Sequence, residues 1–212
     1  MKKNICLMLT YLAIALHLYG ADPLVFGPLS IHISTQLGGF LGDRSSGDYQ
    51  ATGISFLGHN SGDSENLLPL DSLNLQSKDV LDKNPLLLVS SVVALEKSGN
   101  ASKLISFIPP EKASEAQGYF APDVVKKTVE LLSDVSEIKP LLIIKQDDKL
   151  YVYYALVKPN GTVPQLAILK QIGPVYWLAV ESVGADSPLL CNIYNALYAE
   201  SLGNKEAINV TK

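Results

Sequence analysis

Cysteine, arginine and histidine are scarce in this chain of 212 residues, and each shortage closes off a class of protein. The two cysteines are Cys6 and Cys191. Cys6 lies in an amino-terminal apolar run, so the remainder holds a single thiol and no disulfide can staple it internally. Folding must then rest on apolar burial, with Cys191 expected as a small buried hydrophobe. Arg44 is the only arginine, and the net charge of −4 becomes −6 once Lys2 and Lys3 are set aside. Nucleic-acid binding draws its affinity from clustered Lys and Arg, so no nucleic-acid partner is expected. Past the leader the histidines are His32 and His59, and neither has a second ligand at helical or short-loop spacing. A zinc site needs three or four converging ligands, so no metal and no cofactor are expected.

Long apolar runs are equally rare. The one candidate starts after Lys2 and Lys3, extends from Ile5 to Leu18 and closes with Tyr19, Gly20 and Ala21 before Asp22. That is the outline of an export signal peptide over residues 1–21. No other segment approaches the roughly 20 apolar residues of a membrane helix. The expectation is a cleaved leader and a mature chain of about 190 residues in the periplasm or outside the cell, large enough for one good-sized core. An uncleaved anchor is the alternative, since Leu18 and Tyr19 are bulky for a cleavage site.

Catalytic signatures are missing as well. There is no Gly-x-Ser-x-Gly elbow, and Gly38-Gly39-Phe40-Leu41-Gly42 lacks the lysine that a phosphate-cradling loop needs. Asp43, Asp48, Asp63 and Glu65 lie in Gly-rich sequence that suits calcium. The stretch Asp43 to Asp48 nevertheless misplaces the glycine and lacks the distal glutamate of a helical-hand loop, which favours solvated turns.

What is present divides near residue 80. Residues 22–80 are rich in Gly, Ser, Asn and Asp, and only Leu29–Thr35 and Thr52–Leu57 alternate like strands, which predicts a Gly-rich, hairpin-like arm. Asn84 and Pro85 then supply an N-cap and a first helical residue, and Leu88, Val89, Val92, Val93 and Leu95 form an apolar stripe up to Gly99. Asn100 is positioned to cap a second short helix that Pro109 and Pro110 end. A third helix is expected from Pro122, with Val124, Val125, Thr128, Leu131, Leu132 and Val135 inward. After Pro140 the period shortens to two, predicting strands over 141–145, 150–157, 165–171 and 175–183 with turn-rich connections and antiparallel pairing. Ser187 and Pro188 open an amphipathic helix over 187–202 with Leu189, Leu190, Ile193, Leu197 and Tyr198 as its apolar face, and 203–212 reads as a flexible tail. The predicted fold class is α+β: helices packed on one face of a curved antiparallel meander, preceded by the arm.

The stretch Val93-Ala94-Leu95-Glu96-Lys97-Ser98-Gly99-Asn100-Ala101-Ser102-Lys103-Leu104-Ile105-Ser106-Phe107-Ile108-Pro109, followed by a helix and paired strands, resembles the nuclear-transport-factor-two-like (cystatin-like) superfamily, in particular its secreted bacterial members. The resemblance covers residues 84–183. It implies a cone-shaped domain with a cavity between helices and sheet, which some members use for catalysis, some for binding and some fill with side chains. The arm has no counterpart in that pattern.

Proton-transfer chemistry in such a cavity needs a carboxylate or histidine held in apolar surroundings. The strands offer few. On 150–157 one face is Leu150, Val152, Tyr154 and Leu156 and the other is Tyr151, Tyr153, Ala155 and Val157, without an acid on either. Glu181, expected on the last strand beside Val175, Trp177 and Ala179, reads either as a base in a pocket or as a solvated sheet-end residue. Tyr151, Tyr153, Tyr154, Tyr176 and Trp177 are the candidate ligand-binding aromatics, together with Glu181. Aromatic rings suit a small apolar or sugar-like ligand, a subunit contact or plain core packing alike. These features point to an exported, non-enzymatic binding or interaction module, with a homodimer through the sheet face as one form. A small secreted cone-fold enzyme or an envelope-associated structural protein are the alternatives. Asn100, Asn160 and Asn209 head glycosylation acceptor triplets that matter only on a eukaryotic secretory route.

Overall fold

The computed structural model describes residues 24–34, 46–57, 67–70, 84–181, 187–204 and 206–212. Residues 1–21, expected as a leader, and Gly38 to Gly42, Asp43, His59, Asp63 and Glu65 lie outside the described residues. The protein is α+β, with an open antiparallel sheet of eight strands and four α-helices among the described residues. Strands β1 (Gly27–Ile33), β2 (Gly47–Ser55), β3 (Leu68–Pro69), β4 (Glu137–Gln146), β5 (Lys149–Lys158), β6 (Gly161–Ile172), β7 (Val175–Leu178) and β8 (Ile208–Thr211) are arranged β7-β6-β5-β4-β2-β1-β8, with β3 also paired to β4. The helices are α1 (Pro85–Lys97), α2 (Ala101–Leu104), α3 (Pro122–Leu132) and α4 (Pro188–Ser201).

Helix α1 begins and ends where its capping residues dictate. The Asn84 side chain accepts from the Leu86 and Leu87 amides at 3.0 and 3.3 Å, and Pro85 occupies the first turn. At the other end Gly99 has φ +70°, its amide donates to Glu96 O and the Asn100 amide donates to Leu95 O at 2.9 Å. That pair of bonds satisfies the last carbonyls of the helix and turns the chain back. Asn100 does not cap α2 with its side chain, which instead accepts from the Ser102 hydroxyl at 3.3 Å.

Strand β5 forms the centre because both its faces are apolar. Leu150, Val152, Tyr154 and Leu156 join one buried cluster with Leu87, Leu88, Val92 and Val93 of α1. Tyr151 and Tyr153 join a second with Leu190, Ile193, Ala196 and Leu197 of α4. Each fully buried Leu or Ile contributes about 1.5–3 kcal/mol, so two clusters of this kind stabilise the chain without a disulfide. The expectation that all helices cover one face is corrected by this division. Helix α4 packs on the face opposite α1, because tyrosines on alternating positions of β5 leave an apolar surface on both sides.

Strand β4 starts at Glu137, earlier than expected, and contains Pro140. A register shift between Pro140 and Leu142 adds one residue, so Ile138 and Ile143 lie in the same cluster despite odd spacing. Beyond this bulge β4 pairs with β2 through 142–145, and before it with β3 through 137–138, so the proline falls between two short partners where no ladder bond is lost.

The two strands of the arm enter this same sheet: β2 pairs with β4, and β1 with β2 and β8. Leu29, Ile31 and Ile33 point into the α4 cluster, while Ser30 and His32 face outward and bond Gln50 and Asp48 across the hairpin. The carboxy-terminal segment is not a flexible tail. Ile208 to Thr211 pair with β1, and Ala207, Ile208 and Val210 are buried against it. Alternating apolar residues found an open strand edge there, which outweighs the polar composition around them. On α3 the expected inner residues Val124 and Leu131 are exposed, and Leu132 is buried. Tyr198 of α4 is exposed too, whereas Cys191 is buried as a small hydrophobe and burial pushes its thiol pKa up. Among the described residues no helix is long and apolar enough to cross a membrane.

Candidate functional site

Strand β7 pairs only with Leu169–Ile172 of β6. The preceding residues Gln165 to Ile168 therefore have a strand neighbour on one side only among the described residues, and a cavity of about 500 Å³ opens beside them. Its walls are Val92 and Glu96 of α1, Leu104 of α2, the connecting residues Ile108, Ala116 and Phe120, Tyr154 of β5, Leu178 at the end of β7 with the following residues to Glu181, and Tyr194 of α4. Most of this lining is apolar.

Of the cavity's two acids, Glu96 and Glu181, the first is the more deeply set. It stands on the stripe of α1 that runs through Leu88 and Val92 at intervals of four, so the helix turns its carboxyl toward the interior. Among the described residues it has no hydrogen-bond or ion-pair partner. Burial raises its pKa from 4.5 to about 7. Its place in the last turn, at the negative end of the helix dipole, works in the same direction.

Tyr154 lines the same cavity and its hydroxyl likewise has no partner among the described residues. Burial pushes its pKa well up, and the charges of Glu96 and Tyr194 add to that, so the hydroxyl stays a donor. Tyr194 donates to the Pro164 carbonyl at 3.2 Å and is already engaged.

The six residues singled out from the sequence do not form one cluster. Tyr154 and Glu181 reach the cavity. Tyr151 and Tyr153 belong to the opposite face, and the Tyr153 hydroxyl donates to the Leu190 carbonyl. Tyr176 is buried in the α1 cluster and Trp177 is half-buried on β7. Strand alternation separates Tyr153 from Tyr154 whatever the rest of the fold does. Glu181 is not on a strand, since β7 ends at Leu178; it forms an ion pair with Lys149, and that bond raises the lysine's pKa. Glu96 was not among the candidates. Its signal was a charged residue spaced four and eight residues from Val92 and Leu88 on an otherwise apolar stripe.

No three His, Cys, Asp or Glu side chains converge on a common point among the described residues. The fold and the site together define an α+β protein with helices on both faces of its sheet and an apolar cavity holding one unpaired carboxyl. Comparison with known proteins finds no family model, no curated protein and no solved structure that matches the chain.

Proposed function

We propose that the protein is an exported binding module for a small, largely apolar molecule with a polar group, and that the cavity beside β6 is its site. The observation that carries this reading is the pair of polar groups without partners, the Glu96 carboxyl and the Tyr154 hydroxyl, in an apolar wall. Groups that no protein atom engages are open to a ligand's polar group, and a few of them in an apolar wall fix a ligand's orientation. A volume of about 500 Å³ lies within the roughly 300–1,000 Å³ of small-molecule sites. Export rests on the leader. The resemblance to the cone-shaped superfamily supports the same reading, because its members place a cavity between helices and sheet.

The test is a fragment screen by amide chemical-shift perturbation on the mature chain. Apolar fragments are expected to shift residues around the cavity, notably Gln165 to Ile168 and Leu178 to Glu181. Shifts confined to the outer face of β1 and β2, or none at all, would overturn the proposal.

A second reading is a proton-transfer enzyme with Glu96 as the base and Tyr154 as the donor to a developing oxyanion. It is favoured by the carboxyl's pKa of about 7, where a general base is most effective near neutral pH. Hydrogen–deuterium exchange at the acidic carbon of a bound ketone fragment would reveal it, and its absence at saturating fragment would remove it.

A further inference from the structure

We infer that the ligand of this cavity is an organic amine, an apolar body carrying an ammonium group that pairs with Glu96. The inference rests on the binding reading above and adds the sign of the charge. Two carboxylates line the cavity, Glu96 and Glu181, and no Lys, Arg or His stands among the lining residues. Glu181 sits at the end of the lining segment and is paired with Lys149, so Glu96 is the charge left to a ligand. An anion placed there would meet an unpaired carboxylate, and no cationic side chain lines the wall to offset it, which is unfavourable. An ammonium meets the reverse. It donates to the Glu96 carboxylate, the Tyr154 hydroxyl oxygen offers a second acceptor, and Gln165 supplies a side-chain carbonyl in the same wall. The rings of Phe120, Tyr154 and Tyr194 line the space around that position and add attraction for a cation at their faces.

A pH signature accompanies this pairing. The titratable groups facing the cavity are Glu96 from α1, Tyr154 from β5, Tyr194 from α4 and Glu181 beyond β7. Both tyrosines have pKa values raised above the usual 10.0, so they stay neutral through the physiological range. Glu96, with its pKa of about 7, changes charge within that range. An amine needs the ionised form, so its affinity should climb about tenfold between pH 6 and pH 8.

Three matched probes test this: 4-phenylbutylamine, 4-phenylbutanol and 4-phenylbutanoate, titrated calorimetrically into the mature protein at pH 6 and pH 8. The amine is expected to bind at least tenfold tighter than the alcohol at pH 8, with the carboxylate weakest. Glu96→Gln is expected to erase the amine's advantage and its pH dependence, and a parent-like amide fingerprint spectrum shows that the variant is folded. Val180→Trp, which enlarges a residue of the cavity wall, should weaken all three. If the alcohol binds, is displaced by Val180→Trp and matches the amine, the amine inference falls while the cavity stands as a ligand site. If none of the three binds, both readings fall.

Discussion

The Tyr153 hydroxyl donates to the Leu190 carbonyl across 3.0 Å, joining the middle of β5 to the first turn of α4 inside a fully buried cluster. Burial keeps that phenol protonated far above its ordinary range, so it serves as a fixed donor. Tyr153→Phe keeps the ring and removes the bond, and should cost about 1 kcal/mol. Tyr153→Ala also empties a large volume and should cost about 3–5 kcal/mol. Urea unfolding of the two variants measures both, and an unchanged stability in Tyr153→Phe would show that the hydroxyl contributes nothing.

Gly53 leaves no room for a side chain between β2 and its neighbours. A Cβ there would overlap the Ile143 carbonyl oxygen and stand 2.9 Å from Leu29 Cδ1, and both neighbours are held by the sheet. Gly53→Ala should destabilise by about 1–3 kcal/mol or more. Gly27, opposite it in the register, has nothing within 4 Å of its added Cβ, so Gly27→Ala should be neutral or slightly stabilising. A thermal melt of each variant checks the contrast.

Stability should carry the imprint of Glu96. The folded carboxyl holds its proton up to about 7 while the unfolded one releases it near 4.5. Between those values the native state binds more protons, so stability declines as pH rises through that window and levels above it. The decline should be on the order of 2–3 kcal/mol, reduced by the carboxyl's partial contact with solvent. Glu96→Gln should flatten the window, matching the parent near pH 5 and exceeding it at pH 8. Urea midpoints measured across pH 4–9 decide it; parallel curves for the two proteins would show that Glu96 titrates normally.

The carboxy-terminal strand should behave as core. Ile208 is 1% exposed and pairs with Ile33. Ile208→Ala is expected to cost about 2–5 kcal/mol, whereas the same change at exposed Leu202 should stay within about 0.5 kcal/mol. Amide exchange should protect Ile208 and Val210 to the same degree as β1, and fast exchange across 208–211 would restore the tail.

Much of the fold was legible because it depends on neighbours a few residues apart. Asn84, Pro85 and Gly99 bounded α1 through bonds within a single turn, and alternation assigned each side of β5 correctly. The site was not legible in the same way. A carboxylate on a helix is ordinary until one knows that it and Val92 line a cavity, and that depends on β7 stopping four residues along β6.

The sequence by itself determined the two ends of α1, the strand periods and the buried thiol, since these follow from side-chain and backbone chemistry over short distances. Only the tertiary structure decided which face α4 covers, that residues 208–211 complete the sheet, and that Glu96 rather than Glu181 is the unpaired acid. The physical reason is that partner choice and burial are set by contacts between residues far apart in the chain. A carboxyl's protonation follows the water and charges around it rather than the residues beside it in sequence.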